Sequence, residues 1–318
     1  MTIQLHTIVD HPAYQLKLYN FIEKVEGKKY DSYLIANLKT GVLEPHIGVG
    51  FKITENPALG AVIRAFGINP ARTELTAAQA ARETYYENLI RQKVTESFAN
   101  NTALRSALDA IMQARAVDLI YNGTSFNRQP TFMFSQNDND AQLKGAFNEI
   151  ISLYQDRVHN WLGSSLMDTD SNERIALVSM AYQGWINVGR SQALKRAIVN
   201  NDRAEAWYEI RYNTNVEARR FLEADTFGLY NEGVDPNDSS TMTDIDAKGA
   251  YRTLTRHRTT IYGEDGLEGG GDDYEQTNQS RLNTAVSWGN QLGIPVQSLQ
   301  GNLQPARTYL YEEYITNA

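Results

Sequence analysis

The chain has 318 residues, 42% of them hydrophobic, enough to bury a sizeable core in one large domain or in one domain plus an appendage. It has no cysteine, which excludes a disulfide framework and a thiolate zinc site, and a formal net charge of −8 argues against general nucleic-acid binding and against adhesion to an anionic membrane. Met1 to Asp10 holds no basic segment followed by an apolar run, and no stretch nears the ~20 apolar residues of a membrane span. The expectation is therefore a soluble chain without a cleavable secretory signal, made in the cytoplasm and delivered by other machinery if it acts outside.

Asp10 can cap a helix with Pro12 in its first turn, where the missing N–H of proline costs nothing. Leu18, Phe21, Ile22 and Val25 recur at helical spacing, and Gly27 is placed to end the helix in a left-handed conformation. Residues 33 to 53 then change character, with Tyr33-Leu-Ile, Lys39-Thr-Gly-Val-Leu and Ile47-Gly-Val-Gly-Phe separated by turn glycines, the pattern of a small β-hairpin or meander. Helical patterns follow over roughly 76–99, 103–121, 140–161, 172–187 and 203–226. Asn122-Gly and Arg128-Gln-Pro-Thr mark a loop, and Asp168-Thr-Asp-Ser171 reads as a helix start. From Asn231 to Ser240 the chain is polar and turn-rich. Beyond it two shorter helical patterns flank a glycine-rich acidic loop, Gly263 to Glu275. The fold class expected is mainly α, with a small β element near the N-terminus.

The end of the first helix carries the chemistry. Glu26 follows Val25 and lies one turn beyond Ile22, so apolar neighbours and the negative end of the helix dipole both favour its protonated form, which a general acid requires. Gly48 and Gly50 allow a hairpin backbone to approach that helix end, or a substrate, closely. The plainer reading is an ordinary surface glutamate before a helix-ending glycine.

Helix, Glu-Gly, a short β element and a Gly-x-Gly turn resemble the start of the phage T4-type lysozymes, and more closely their pesticin-like bacterial muramidase relatives. Three blocks carry the resemblance. Ile47 to Gly67 resembles the stretch after the catalytic turn. Arg174-Ile-Ala-Leu-Val-Ser-Met-Ala-Tyr-Gln183 is similar to the central core helix. Arg203-Ala-Glu-Ala-Trp-Tyr-Glu-Ile-Arg-Tyr-Asn213 with Glu217 to Tyr230 looks like the C-terminal signature of the pesticin-like branch. The resemblance covers about residues 10–231. It implies a lysozyme-like domain over 1–231 and a helical C-terminal appendage of unknown role over 232–318.

It also implies Glu26 as the general acid that cleaves the β-1,4 bond after N-acetylmuramic acid. The sequence departs from the family at two positions: His46 stands where threonine is expected, and Lys52 follows Phe51 where Asp or Asn is frequent. An inverting glycosidase needs a second group ~6.5–9.5 Å from the acid to activate water, and a charged lysine cannot serve. His46 is favoured for that role because histidine transfers protons near neutral pH, with Glu44 second and Asp31 also open. His46 also reads simply as a turn histidine bonded to backbone.

Arg219 and Arg220 fall where related enzymes place a basic residue near the acid, to pair with it or to bind a substrate carboxylate. They point about 100° apart on a helix, so one at most is expected to do this, and a solvated helix face is the alternative. Tyr182 and Gln183 are candidates to line a sugar cleft. Trp185, Trp207 and Tyr208 are candidates to stack on sugars, or core aromatics. The acidic runs at 235–238 and 264–275 lack the spacing of a twelve-residue calcium loop, so no metal or other cofactor is expected.

The function the resemblance implies is peptidoglycan hydrolysis by a phage lysin or an antibacterial effector. Its partner would be cell-wall peptidoglycan, with a delivery apparatus or an immunity protein beside it, and neither nucleic acid nor membrane insertion. The alternatives are a lysozyme fold that has lost catalysis and binds glycan or protein, and a lytic transglycosylase, which needs no water-activating base.

Overall fold

A computed structural model of the chain describes residues 3–37, 39–121, 129–187, 189–212, 218–235, 238–261 and 272–316. The fold is mainly α with one small three-stranded antiparallel sheet, in the order β1-β2-β3. The chain forms two compact units, residues 22–153 and residues 1–21 with 154–318. Among the described residues no helix is long and apolar enough to cross a membrane.

Helix α1 (His11–Glu26) begins where the sequence places it, the Asp10 backbone carbonyl accepting from the Tyr14 N–H. It ends because Gly27 takes φ +76° and returns its N–H to Glu23. Strands β1 (Lys29–Ala36), β2 (Leu43–Gly48) and β3 (Phe51–Lys52) follow, so residues 39–42 form the turn between β1 and β2 rather than part of a strand. Helix α2 (Asn56–Ala65), which the periodicity did not isolate, carries Pro57 in its first turn and buries Ala58 to Ile63. Helix α3 (Ala77–Lys93) opens on a capping box, Thr76 and Gln79 each bonding the other's backbone, and stops short of the 99 expected. Helix α4 (Asn101–Tyr121) packs on β1, which Asn101 holds through the Leu34 N–H and Arg105 through the Ser32 carbonyl. The expected loop at 122–128 lies outside the described residues; Gln129 and Pro130 are irregular. Phe66, Phe132 and Phe134 pack with ring centroids 4.9 and 5.0 Å apart, at the centre of this unit.

Helix α5 (Ala141–Leu162) carries the chain out of that unit. In the other unit, α6 (Asn172–Tyr182) is capped by Ser171 and buried from Ile175 to Ala181, as a core helix should be. It ends at Tyr182, five residues earlier than expected, because Gly184 takes φ +78° and Trp185 donates back to the Met180 carbonyl. The unforeseen α7 (Gln192–Val199) precedes α8 (Arg203–Tyr212) and α9 (Ala218–Phe227), two helices where one was expected, with 213–217 outside the described residues.

Residues after 231 belong to the same unit. Helix α10 (Asp244–Arg256) packs on α8, and α12 (Asp272–Leu292) packs on α9. The short α11 (Arg258–Ile261) and α13 (Leu299–Tyr311) complete the set, more elements than the two expected. Residues 262–271 of the acidic loop lie outside the described residues, and Asp272 to Glu275 are helical rather than loop. Asp238 of the other acidic run accepts from the N–H and hydroxyl of Ser240 and caps a short turn.

Candidate functional site

The expected acid lies on α1 beside the glycine turn that joins β2 to β3. Glu26 is half-buried. Gly48 and Gly50 have φ of +68° and +89°, the left-handed region that glycine enters without cost. A Cβ built on Gly50 would lie 3.5 Å from the Glu26 Oε2, so the turn backbone closes on the carboxylate as the sequence suggested. The turn is fixed from beneath: Val49 is fully buried, and a Cβ on Gly48 would meet Leu143 at 2.8 Å and the Phe51 ring at 2.9 Å.

Register aligns the second candidate group. His46 pairs with Tyr33 across to β1 and with Lys52 across to β3, so three side chains share one rung on one face. The opposite face is apolar, with Pro45 and Ile47 buried. The His46 Nδ1 lies 2.9 Å from the Glu44 carbonyl. A carbonyl only accepts, so Nδ1 carries the proton and Nε2 carries the lone pair. Burial, the largest influence, holds the His46 pKa below its usual 6.5 against the opposing pull of Glu44, which keeps the ring neutral at pH 7. The plain reading of a histidine bonded to backbone is thus met at Nδ1, and the other nitrogen is left as a base.

Glu44 is committed elsewhere. Its Oε1 accepts from Asn37 at 3.0 Å and pairs with the Lys52 ammonium at 3.0 Å. Burial works to raise its pKa, but the Asn37 and Lys52 bonds outweigh it and leave the carboxylate below its ordinary range. Lys52 is thus a counter-ion of Glu44. Asp31 pairs with Arg105 at 3.3 Å.

Tyr33 is the residue that sequence reading missed. It is buried, its ring centroid is 5.9 Å from that of His46, and the Lys29 ammonium lies 4.2 Å from its centroid. Its phenol is pushed up to about 12, first by burial and then by the negative charge of Glu26, with the Gly50 backbone bond opposing. Tyr33 is thus the common neighbour of the acid, the turn and the histidine. The signal was present in the strand register, which places position 33 opposite 46.

Compared with known proteins, the chain matches no family model, no curated protein and no solved structure.

The substrate-binding candidates lie in the unit that holds α6 and α9. Arg219 and Arg220 are not a solvated face: both are buried, and both converge on Glu223, one turn along. Arg219 Nε binds Glu223 Oε1 at 2.9 Å and Arg219 Nη2 binds the Ser179 carbonyl at 2.8 Å. Arg220 pairs with the other Glu223 oxygen and donates to Gln183 Oε1 at 3.0 Å. A shared carboxylate lets two cations leave water together, which sequence periodicity does not reveal.

Gln183 itself is exposed and Tyr182 half-buried, its ring centroid 4.8 Å from that of Tyr154. Trp185 is half-buried with the Arg220 guanidinium 5.1 Å from its ring. Trp207 and Tyr208 are core residues: the Trp207 indole donates to Asp225 at 3.1 Å, and Tyr208 stacks on His257 at 3.6 Å. Among the described residues no three His, Asp or Glu side chains are grouped to hold a metal ion.

Proposed function

We propose that this protein is a peptidoglycan hydrolase, a muramidase that cleaves the β-1,4 bond between N-acetylmuramic acid and N-acetylglucosamine with Glu26 as general acid. The observation that supports it most is the approach of the Gly50 backbone to the Glu26 carboxylate, close enough that a Cβ built there would lie 3.5 Å from Oε2. A half-buried acid at a helix end, roofed by a glycine turn, can hand its proton to a glycosidic oxygen while bulk water is partly excluded.

In this reading Glu26 protonates the leaving oxygen as the glycosidic C–O bond breaks. Water adds to the oxocarbenium carbon and gives its proton to His46 Nε2, whose partner nitrogen is already bonded to Glu44. Glu44, ionised but held by Lys52, is the second candidate for the base. Tyr33 orients the acid. Tyr182 and Gln183 are accessible enough to contact a sugar chain, whereas Arg219 and Arg220 brace α6 against α9. The biological setting is a phage lysin or an antibacterial effector brought to the wall by other machinery.

The Lys52–Glu44 pair favours a second reading, a silent lysozyme-like fold that binds glycan or protein, because it occupies an ionised carboxylate on the sheet face. Reducing-end release from purified wall separates the two. The hydrolase reading expects release by the native chain, loss in Glu26→Gln, and a large reduction in His46→Gln; no release by any of the three supports the silent fold.

A further inference from the structure

Helices α10 and α13 flank an open groove of about 550 Å³ whose walls combine aromatic rings with cations. Tyr251, Tyr311 and Tyr314 are 57%, 59% and 48% exposed there, a concentrated outlay of aromatic surface. Lys248, Arg252 and Arg307 line the same groove. Two of the three cations are already matched: Lys248 holds Asp244 at 2.6 Å and Arg252 holds Asp202 at 3.1 Å. Arg307 has no ion-pair partner among the described residues, and it lies one turn from Tyr311 on the same face of α13.

We propose that this groove binds an acidic glycan, a chain of sugar rings that carries a carboxylate at intervals. It rests on the wall-hydrolase reading only for the identity of the sugar, which in peptidoglycan bears the lactyl carboxylate of muramic acid. The apolar C–H face of a pyranose covers a tyrosine ring, and the carboxylate meets Arg307 in a bidentate bond. Charge spacing favours this class. One unmatched cation among three tyrosines suits a ligand with sparse charge, whereas a single-stranded nucleic acid brings one phosphate per residue to a chain of net charge −8. A peptide is disfavoured because both walls are helices, whose backbone groups are spent internally and offer no ladder to an extended strand.

The test titrates the full-length Glu26→Gln chain with a soluble tetrasaccharide of alternating N-acetylglucosamine and N-acetylmuramic acid, and with neutral chitotetraose. The expected result is a binding step weakened about tenfold by Arg307→Gln and roughly a hundredfold by Arg307→Gln with Tyr311→Ala, one 1.4 kcal/mol contact being worth a factor of ten. Chitotetraose should bind about tenfold more weakly than the acidic sugar, and Arg307→Gln should erase that difference. Identical titrations for parent and double variant, or tighter binding of oligothymidylate or polyglutamate, would overturn the proposal. Wall cleavage by the native chain is scored separately. A groove that binds in a chain that does not cleave removes only the hydrolase reading, and a silent groove in a cleaving chain removes only this one.

Discussion

Two glycines two residues apart should fail in opposite ways when each becomes alanine. Both have positive φ, so each substitution carries about 1–2 kcal/mol of left-handed strain. At Gly48 the new methyl would also lie 2.8 Å from Leu143 and 2.9 Å from Phe51, both fully buried, and overpacking a core adds about 1–3 kcal/mol. Gly48→Ala should therefore lose about 2–5 kcal/mol, a large share of the ~5–15 kcal/mol that holds a typical domain folded. At Gly50 the methyl meets only Glu26, in ordinary contact at 3.5 Å, so stability should fall by no more than the strain. If Glu26 is the acid proposed above, that methyl narrows the space beside its carboxylate that a glycosidic oxygen has to enter. A displacement of about 1 Å costs on the order of a hundredfold in rate. Urea unfolding followed by circular dichroism gives the first quantity, and reducing-end release from purified wall gives the second. Wall cleavage at the native rate by Gly50→Ala would mean that the turn does not shape access to Glu26, and native stability in Gly48→Ala would mean that Leu143 and Phe51 do not confine Gly48.

Other expectations follow from the same geometry. Folding favours neutral His46, so its contribution to stability is present above pH 6.5 and is lost as pH falls through its lower folded pKa; cleavage should show an acid limb below 6.5 that His46→Gln abolishes, read from pH–rate profiles. Tyr33→Phe keeps the ring and removes the phenol beside Glu26 and Gly50; kcat should fall about tenfold with KM unchanged, and stability should change by about 1 kcal/mol. Glu223→Gln leaves two buried arginines without their shared carboxylate and should cost about 3–5 kcal/mol in denaturant unfolding. A merely exposed arginine pair would make that substitution nearly neutral.

How much of this was legible in the sequence depended on the range of the interactions. Asp10, Pro12 and Gly27 mark the ends of α1 in the sequence, and the helix forms between them, from His11 to Glu26. The turn glycines located the sheet for the same reason. Helix α6 was readable but its end was not, since the bond from Trp185 to Met180 competes with continued helix only once Gly184 is left-handed. Helices α2 and α7 are short, and the left-handed Ser191 that leads into α7 carries no helix-start signal of its own. At the candidate site, Glu26 and His46 were visible from their motif. Tyr33 needed the strand register, and the fate of Arg219 needed Ser179, forty positions away in sequence. Lys52 looked like a damaged catalytic position; its role as the counter-ion of Glu44 emerges only when β2 and β3 are paired.

Digestion of purified peptidoglycan in heavy-oxygen water, with the products from the native chain and from Glu26→Gln weighed by mass spectrometry, decides whether Glu26 drives hydrolysis. The native chain should place one heavy oxygen at each new N-acetylmuramic acid reducing end, and the variant should leave the glycan intact. Anhydro-muramyl ends without heavy oxygen, or the same products from both chains, would contradict that role.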